Sequence, residues 1–149
     1  MKRTLTTMLL LVLSACSSDG DVSGTVAGGA VTNAAGTIQL DSTTYDVTEG
    51  AVINILVTRS GGSSGVASVD YATSDGIAVA GTDYPATSGT LTFADGVSGN
   101  QTISIPIYDD PTVEVVEAFT LTLSNVSGAN LGVNSSATVS IVDATLPIT

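Results

Sequence analysis

Residues 101–125 read QTISIPIYDDPTVEVVEAFTLTLSN, and this stretch decides the fold. From Gln101 to Ile107, Ile103, Ile105 and Ile107 alternate with Thr102, Ser104 and Pro106. From Ala118 to Asn125, Phe119, Leu121 and Leu123 alternate with Thr120, Thr122 and Ser124. A period of two places one set of side chains on a core and the other in water, which is the signature of a half-buried β-strand. Between the two runs lies a loop carrying Asp109, Asp110, Glu114 and Glu117.

Working outward, the same alternation recurs with turn residues between the runs. Residues 37–47 form a first strand with a break near Ser42. Residues 51–59 place Ile53, Ile55 and Val57 on one face, and residues 67–73 alternate Val69 and Tyr71 with Ser68 and Asp70. Residues 90–93 turn Leu91 and Phe93 inward, and residues 137–143 do the same with Val139 and Ile141. The Gly-rich run 60–65, Asp95-Gly96 and Ser127-Gly128 supply the turns. With Thr, Ser, Val, Ile, Gly and Ala dominating, this is an all-β chain, expected as a seven-stranded β-sandwich over residues 37–149.

Strands that alternate in direction sort the acidic residues by pole. Glu49, Asp75, Asp83, Asp109, Asp110, Glu114, Glu117 and Asp143 all fall in connections or strand ends at one pole, whereas the opposite pole has Asp95. Two carboxylates about 6 Å apart repel by roughly 2 to 3 kcal/mol at an effective dielectric near 20. A cluster of them must splay, take up protons or hold a cation. Hard oxygen donors without histidine or thiolate suit Ca²⁺.

The N-terminus has its own signal. Lys2 and Arg3 precede an apolar run from Leu5 to Leu13, and Leu13-Ser14-Ala15-Cys16 ends in the chain's one cysteine. This pattern reads as a bacterial lipoprotein signal peptide over residues 1–15, with Cys16 lipidated after cleavage. Acyl chains on Cys16 would hold the protein at a membrane. Ser17, in place of an aspartate, favours the outer membrane or cell surface. Residues 16–36 are rich in Ser, Gly, Ala, Asp and Thr and read as a flexible tether. Cleavage would remove two of three basic residues and take the formal charge from −11 to −13. Such a surface repels phosphate backbones, so nucleic acid is excluded as a partner.

The motifs themselves carry a family resemblance. Residues 72–84, ATSDGIAVAGTDY, resemble the DGTAxxGxDY signature of the Calx-beta domain, with Ile77 where Thr is usual. Residues 88–96 (SGTLTFADG), 105–110 (IPIYDD) with Glu114, Glu117 and the FTLTL of 119–123, and 137–143 (ATVSIVD) are similar to its later strands and acidic loop. The resemblance implies a seven-stranded immunoglobulin-like β-sandwich with calcium at one end. It implies Glu49, Asp83, Asp109, Asp110, Glu114, Glu117 and Asp143 as ligands. Departures are Pro111, the Val115-Val116 pair, and Ala144 and Thr145 after Asp143, at places where calcium-sensing members carry further acids.

Without histidine, and with its cysteine given to lipid, the chain has no Ser-His or Cys-His nucleophile, so no enzyme is expected. The leading expectation is a membrane-anchored Calx-beta lipoprotein that binds Ca²⁺ and meets a surface protein or glycan in adhesion or matrix assembly. A calcium-independent structural lipoprotein is one alternative. A carbohydrate-binding module is the other, disfavoured because no Trp, two Phe and four Tyr leave few rings for a sugar platform.

Overall fold

The computed structural model describes residues 34–144. The signal peptide, Cys16 and most of the tether lie outside the described residues, as do residues 145–149. Among the described residues nine strands run β1 (Thr37–Leu40), β2 (Thr44–Thr48), β3 (Val52–Ser60), β4 (Ala67–Ser74), β5 (Ser88–Phe93), β6 (Gly99–Pro106), β7 (Glu117–Ser127), β8 (Asn130–Leu131) and β9 (Ser136–Val142). They form two sheets, β6-β3-β1-β8 and β2-β9-β7-β4-β5. The seven expected runs are all present, and the break near Ser42 divides the first between the two sheets. There Ser42 Oγ donates to Thr44 O, and the Tyr45 hydroxyl donates to the Asp41 carboxylate. The resulting bend carries the chain from one sheet to the other. β8 is an addition, two residues pairing in parallel with β1.

The alternating side chains meet between the sheets. Ile55, Val69, Phe93, Ile105, Phe119, Leu121, Leu123, Val139 and Ile141 are buried, joined by Ile38, Leu40, Val57, Ile103 and Ile107. Leu91 and Ile53 are half-buried, packed against the core's margin. Leu91 lies on β5, an edge strand with one neighbour, which is why it is incompletely covered. Residues 34–36, given to the tether by composition, are hydrogen-bonded into the domain. Ala34 O accepts Ser64 N–H and Gly36 O accepts Asn130 N–H.

Arg59 is the unexpected core member, 1% exposed at the end of β3. Its guanidinium donates to the carbonyls of Ala35, Ser64, Gly65, Ala94 and Val97 and, among the described residues, to no carboxylate. It thereby ties together the chain's entry, the β3–β4 loop and the β5–β6 turn. Asp95 adds to this pole by accepting Gly65 N–H at 2.7 Å. Thr37 pairs with Ser60 and Asn130, so the chain enters the sandwich at this pole.

Candidate metal centre

The other pole is built by the ends of β2, β4, β6 and β9 and the starts of β3 and β7. Thr48 pairs with Val142, Val52 with Pro106, and Glu117 with Ile141, which brings three connections together. The β4–β5 loop is folded back on β7, since Ala78 N–H donates to Ala118 O. A Cβ at Gly76 would stand 2.3 Å from that same carbonyl, so this close approach needs a glycine. Asp75 holds the loop from within, accepting Tyr84 O–H at 2.7 Å and Ala80 N–H at 2.9 Å. Tyr84 is fully buried and stacks on Phe119, with centroids 3.9 Å apart and planes at 14°. Burial first, and then the Asp75 bond, push the Tyr84 hydroxyl up to about 12.

This scaffold aims Asp83 at the β6–β7 loop. One Asp83 oxygen accepts Val79 N–H at 2.6 Å, and Tyr108 N–H donates to the Asp83 carbonyl at 2.8 Å. Carboxylate oxygens of Asp83, Glu114 and Glu117 lie within 4.8 Å of one another. Glu117, assigned by sequence to the loop, is the first residue of β7. Asp143 follows β9 and accepts Glu114 N–H at 2.8 Å, which fixes the loop over the strand end. Glu49, just after β2, has an oxygen, Oε2, enclosed away from solvent with no hydrogen-bond partner among the described residues. Asp110 accepts Thr112 N–H at 2.7 Å and turns the loop's first half. Asp109 is exposed and packs beside Gly50, where a Cβ would stand 3.4 Å from its own.

The electrostatics are those of a site with too much negative charge. Desolvation pushes Glu49 up, and the charges of Asp143, Glu114 and Asp110 add to it, while the Ala144 amide partly offsets them. Desolvation also raises Glu114, aided by Asp110, Asp83 and Asp143. Glu117 is raised by desolvation, then by Asp83 and Glu114. Six of the seven sequence-predicted residues thus interact in one cluster, while Asp109 stands at its rim. The signal for Tyr84 was its place beside Asp83 in the motif, and its function as a prop for the loop was not read from it.

The donor set fits a hard divalent cation. Ca²⁺ takes oxygens at 2.3–2.6 Å, so donors on opposite sides of one ion are about 4.6 to 5.2 Å apart. Oxygens of Asp83, Glu114 and Glu117 that all lie within 4.8 Å of one another fall inside that limit, and the enclosed oxygen of Glu49 has, among the described residues, no hydrogen-bond partner of the kind a cation would replace.

Comparison with known proteins follows the same line. The family model described as the Calx-beta domain matches residues 32–145. The chain belongs to the Calx-beta family. Sodium/calcium exchanger Calx of Drosophila melanogaster is 43% identical over 90 residues, which is 60% of this chain and 9% of that protein. Sodium/calcium exchanger 3 of Homo sapiens is 42% identical over 77 residues, 52% of this chain and 8% of that protein. The similarity thus spans less than a tenth of either exchanger. Among solved structures, the apo-form Calx CBD1 domain superposes with a TM-score of 0.69 at 38% identity, covering 73% of this chain and 97% of that one. The calcium binding domain CBD12 of CALX1.1 superposes with a TM-score of 0.67 at 39% identity, covering 71% of this chain and 44% of that one.

A pH dependence follows for this Calx-beta domain in the absence of ions. Glu49, Glu114 and Glu117 hold protons more tightly folded than unfolded, so stability should rise as pH falls through their raised values toward 4.5. Asp70, held low by Thr90 and Asn125, and Asp75, held low by Tyr84 and Ala80, act oppositely below about 3.8. Melting in chelator from neutral to acid pH should therefore peak in the mildly acidic range above these values. A melting temperature falling steadily from pH 7 would contradict the cluster.

Proposed function

We propose that this chain is an extracytoplasmic, lipid-anchored Calx-beta module that binds Ca²⁺ at its acidic pole and acts in contacts at the cell surface, without catalysis. The observation that carries the ion is the convergence of Asp83, Glu114 and Glu117 beside the unpartnered oxygen of Glu49. Glu49, Asp83, Asp110, Glu114, Glu117 and Asp143 are the proposed ligands, with Asp109 at the edge. Bound calcium would neutralise the cluster and join three connections that repel one another without it. The presence of a structure described as a calcium binding domain among its relatives supports the same reading. The anchor rests on the Cys16 motif, and the outer membrane on Ser17.

Calcium titration by calorimetry tests the site. At about 100 times its dissociation constant, calcium should add roughly 2.7 kcal/mol per independent site and raise the melting temperature by several degrees. Glu49→Gln combined with Asp110→Asn should remove most of that rise and leave the ion-free domain no less stable. An equal rise with magnesium would indicate general screening. No response at millimolar calcium would favour the calcium-independent reading, which Pro111 and Ala144 already support. For the anchor, Cys16→Ser should abolish labelling by radioactive fatty acid, and unchanged labelling would end the lipoprotein assignment.

A further inference from the structure

The pole opposite the acidic cluster is closed by a segment with few holds of its own. Residues 34–36 are Ala, Ala and Gly, whose side chains offer no polar group, so their backbone carbonyls attach them. Ala34 O accepts Ser64 N–H at 3.1 Å, and Gly36 O accepts Asn130 N–H at 2.9 Å. Ala35 O takes two bonds from Arg59, at 3.0 Å from Nε and 2.7 Å from Nη2. The crossing is tight. Gly36 has a φ of 84°, a Cβ there would stand 2.3 Å from Gly62 O, and a Cβ on Gly62 would stand 2.1 Å from Ala34 O. β1 continues the segment with Ile38 and Leu40 fully buried. Its bonds also leave the segment, since Gly132 N–H donates to Ile38 O and Leu40 N–H to Asn134 O, both at 2.8 Å. At Ser42 the chain turns to the other sheet, where β2 is held separately by β9.

We propose that residues 34–40 form a strap that opens and closes on the sandwich as one unit, hinged at Ser42 and latched by Arg59. Lifting Ala35 removes the acceptor of Arg59 Nε and one acceptor of Nη2. The guanidinium, 1% exposed, is then left with the carbonyls of Ser64, Gly65, Ala94 and Val97. A buried donor without an acceptor is costly, so a half-lifted strap is disfavoured and the segment has two positions. The open one is minor, because it uncovers the groove under Ile38 and Leu40 and the side of β3 that β1 now pairs. Opening ends at Ser42, since β2 stays with β9. A segment held at a few points can open in this way while the rest of the fold stays closed. Closed, the strap fixes the place where the chain joins the domain. Open, it adds roughly 23 to 25 Å at full extension to the connection leading in.

The test is amide hydrogen exchange followed by NMR on the whole chain carrying Cys16→Ser. The amides of Leu40, Ser64, Asn130 and Gly132 report the strap, because each is bonded across its boundary. Those of Ile107 and Leu123, bonded to Ala51 O and Ser135 O, report the rest of the sandwich. The first four should share one opening equilibrium, at least about a hundredfold more open than that of the other two. Arg59→Lys should raise it by about tenfold or more, equally at all four. Gly36→Ala, which leaves Arg59 in place, should raise the same four together. Ile105→Val, a core change outside the strap, should raise the opening of Ile107 and Leu123 by roughly two- to tenfold and leave the four as they were. Four unrelated equilibria, opening only together with Ile107 and Leu123, or a response of the four to Ile105→Val equal to that of the core overturns the strap. Unchanged opening in both Arg59→Lys and Gly36→Ala overturns the latch.

Discussion

Arg59→Met should lower the stability of the domain by about 3 kcal/mol or more, because each buried carbonyl left without a donor costs about 1 to 3 kcal/mol before the loops relax. Methionine keeps the apolar stem but leaves the carbonyls of Ala35, Ser64, Gly65, Ala94 and Val97 without the donor that now joins them. Each bond from a charged donor contributes about 1.5 to 3 kcal/mol, and part of the loss is regained as the loops open to water. Arg59→Lys should recover part of the loss, because a single ammonium cannot span five carbonyls with three donors. Urea denaturation checks both variants. A loss below about 1 kcal/mol for Arg59→Met would mean that the three segments hold their positions without it.

Phe119→Ala should cost about 3 to 5 kcal/mol for a ring that is 1% exposed. A second effect distinguishes this position from other core sites. The lost ring is the surface on which Tyr84 stacks, and Tyr84 anchors Asp75 and the loop that presents Asp83. Calcium affinity should therefore fall along with stability. Leu123→Ala, also in β7 but farther from Glu117, should lose stability with a smaller change in affinity. Calorimetry on both variants, well below their melting temperatures, separates the two effects. Equal calcium affinities would show that the stack does not position the loop.

The strands were legible because each buries one face, and burial writes its period directly into the chain. Phe119, Leu121 and Leu123 are as deeply enclosed as their alternation implies. β8 leaves no such trace, since Asn130 and Leu131 are both exposed and their pairing depends on where β1 happens to run. The gathering of acids at one pole followed from strand direction alone. Which of them converge did not, because adjacent residues such as Asp109 and Asp110 differ only in how the loop turns. Arg59 was visible as the one basic residue beyond Lys2 and Arg3, yet nothing local marked it as buried. Its partners are backbone carbonyls in three separate segments, and carbonyls have no letter in a sequence.

The bend between β1 and β2 has a mechanical consequence. The first half of this paired segment lies along β3 in one sheet and the second half along β9 in the other. A pull on the chain ahead of Thr37, resisted at the acidic pole, runs nearly parallel to these strands. The hydrogen bonds of the antiparallel β1–β3 pair lie across that direction and those of the parallel β2–β9 pair slant to it, so both sets are loaded mainly in shear and together, whereas peeling would break them one after another. Because the segment crosses between sheets, the force also reaches both halves of the sandwich at once.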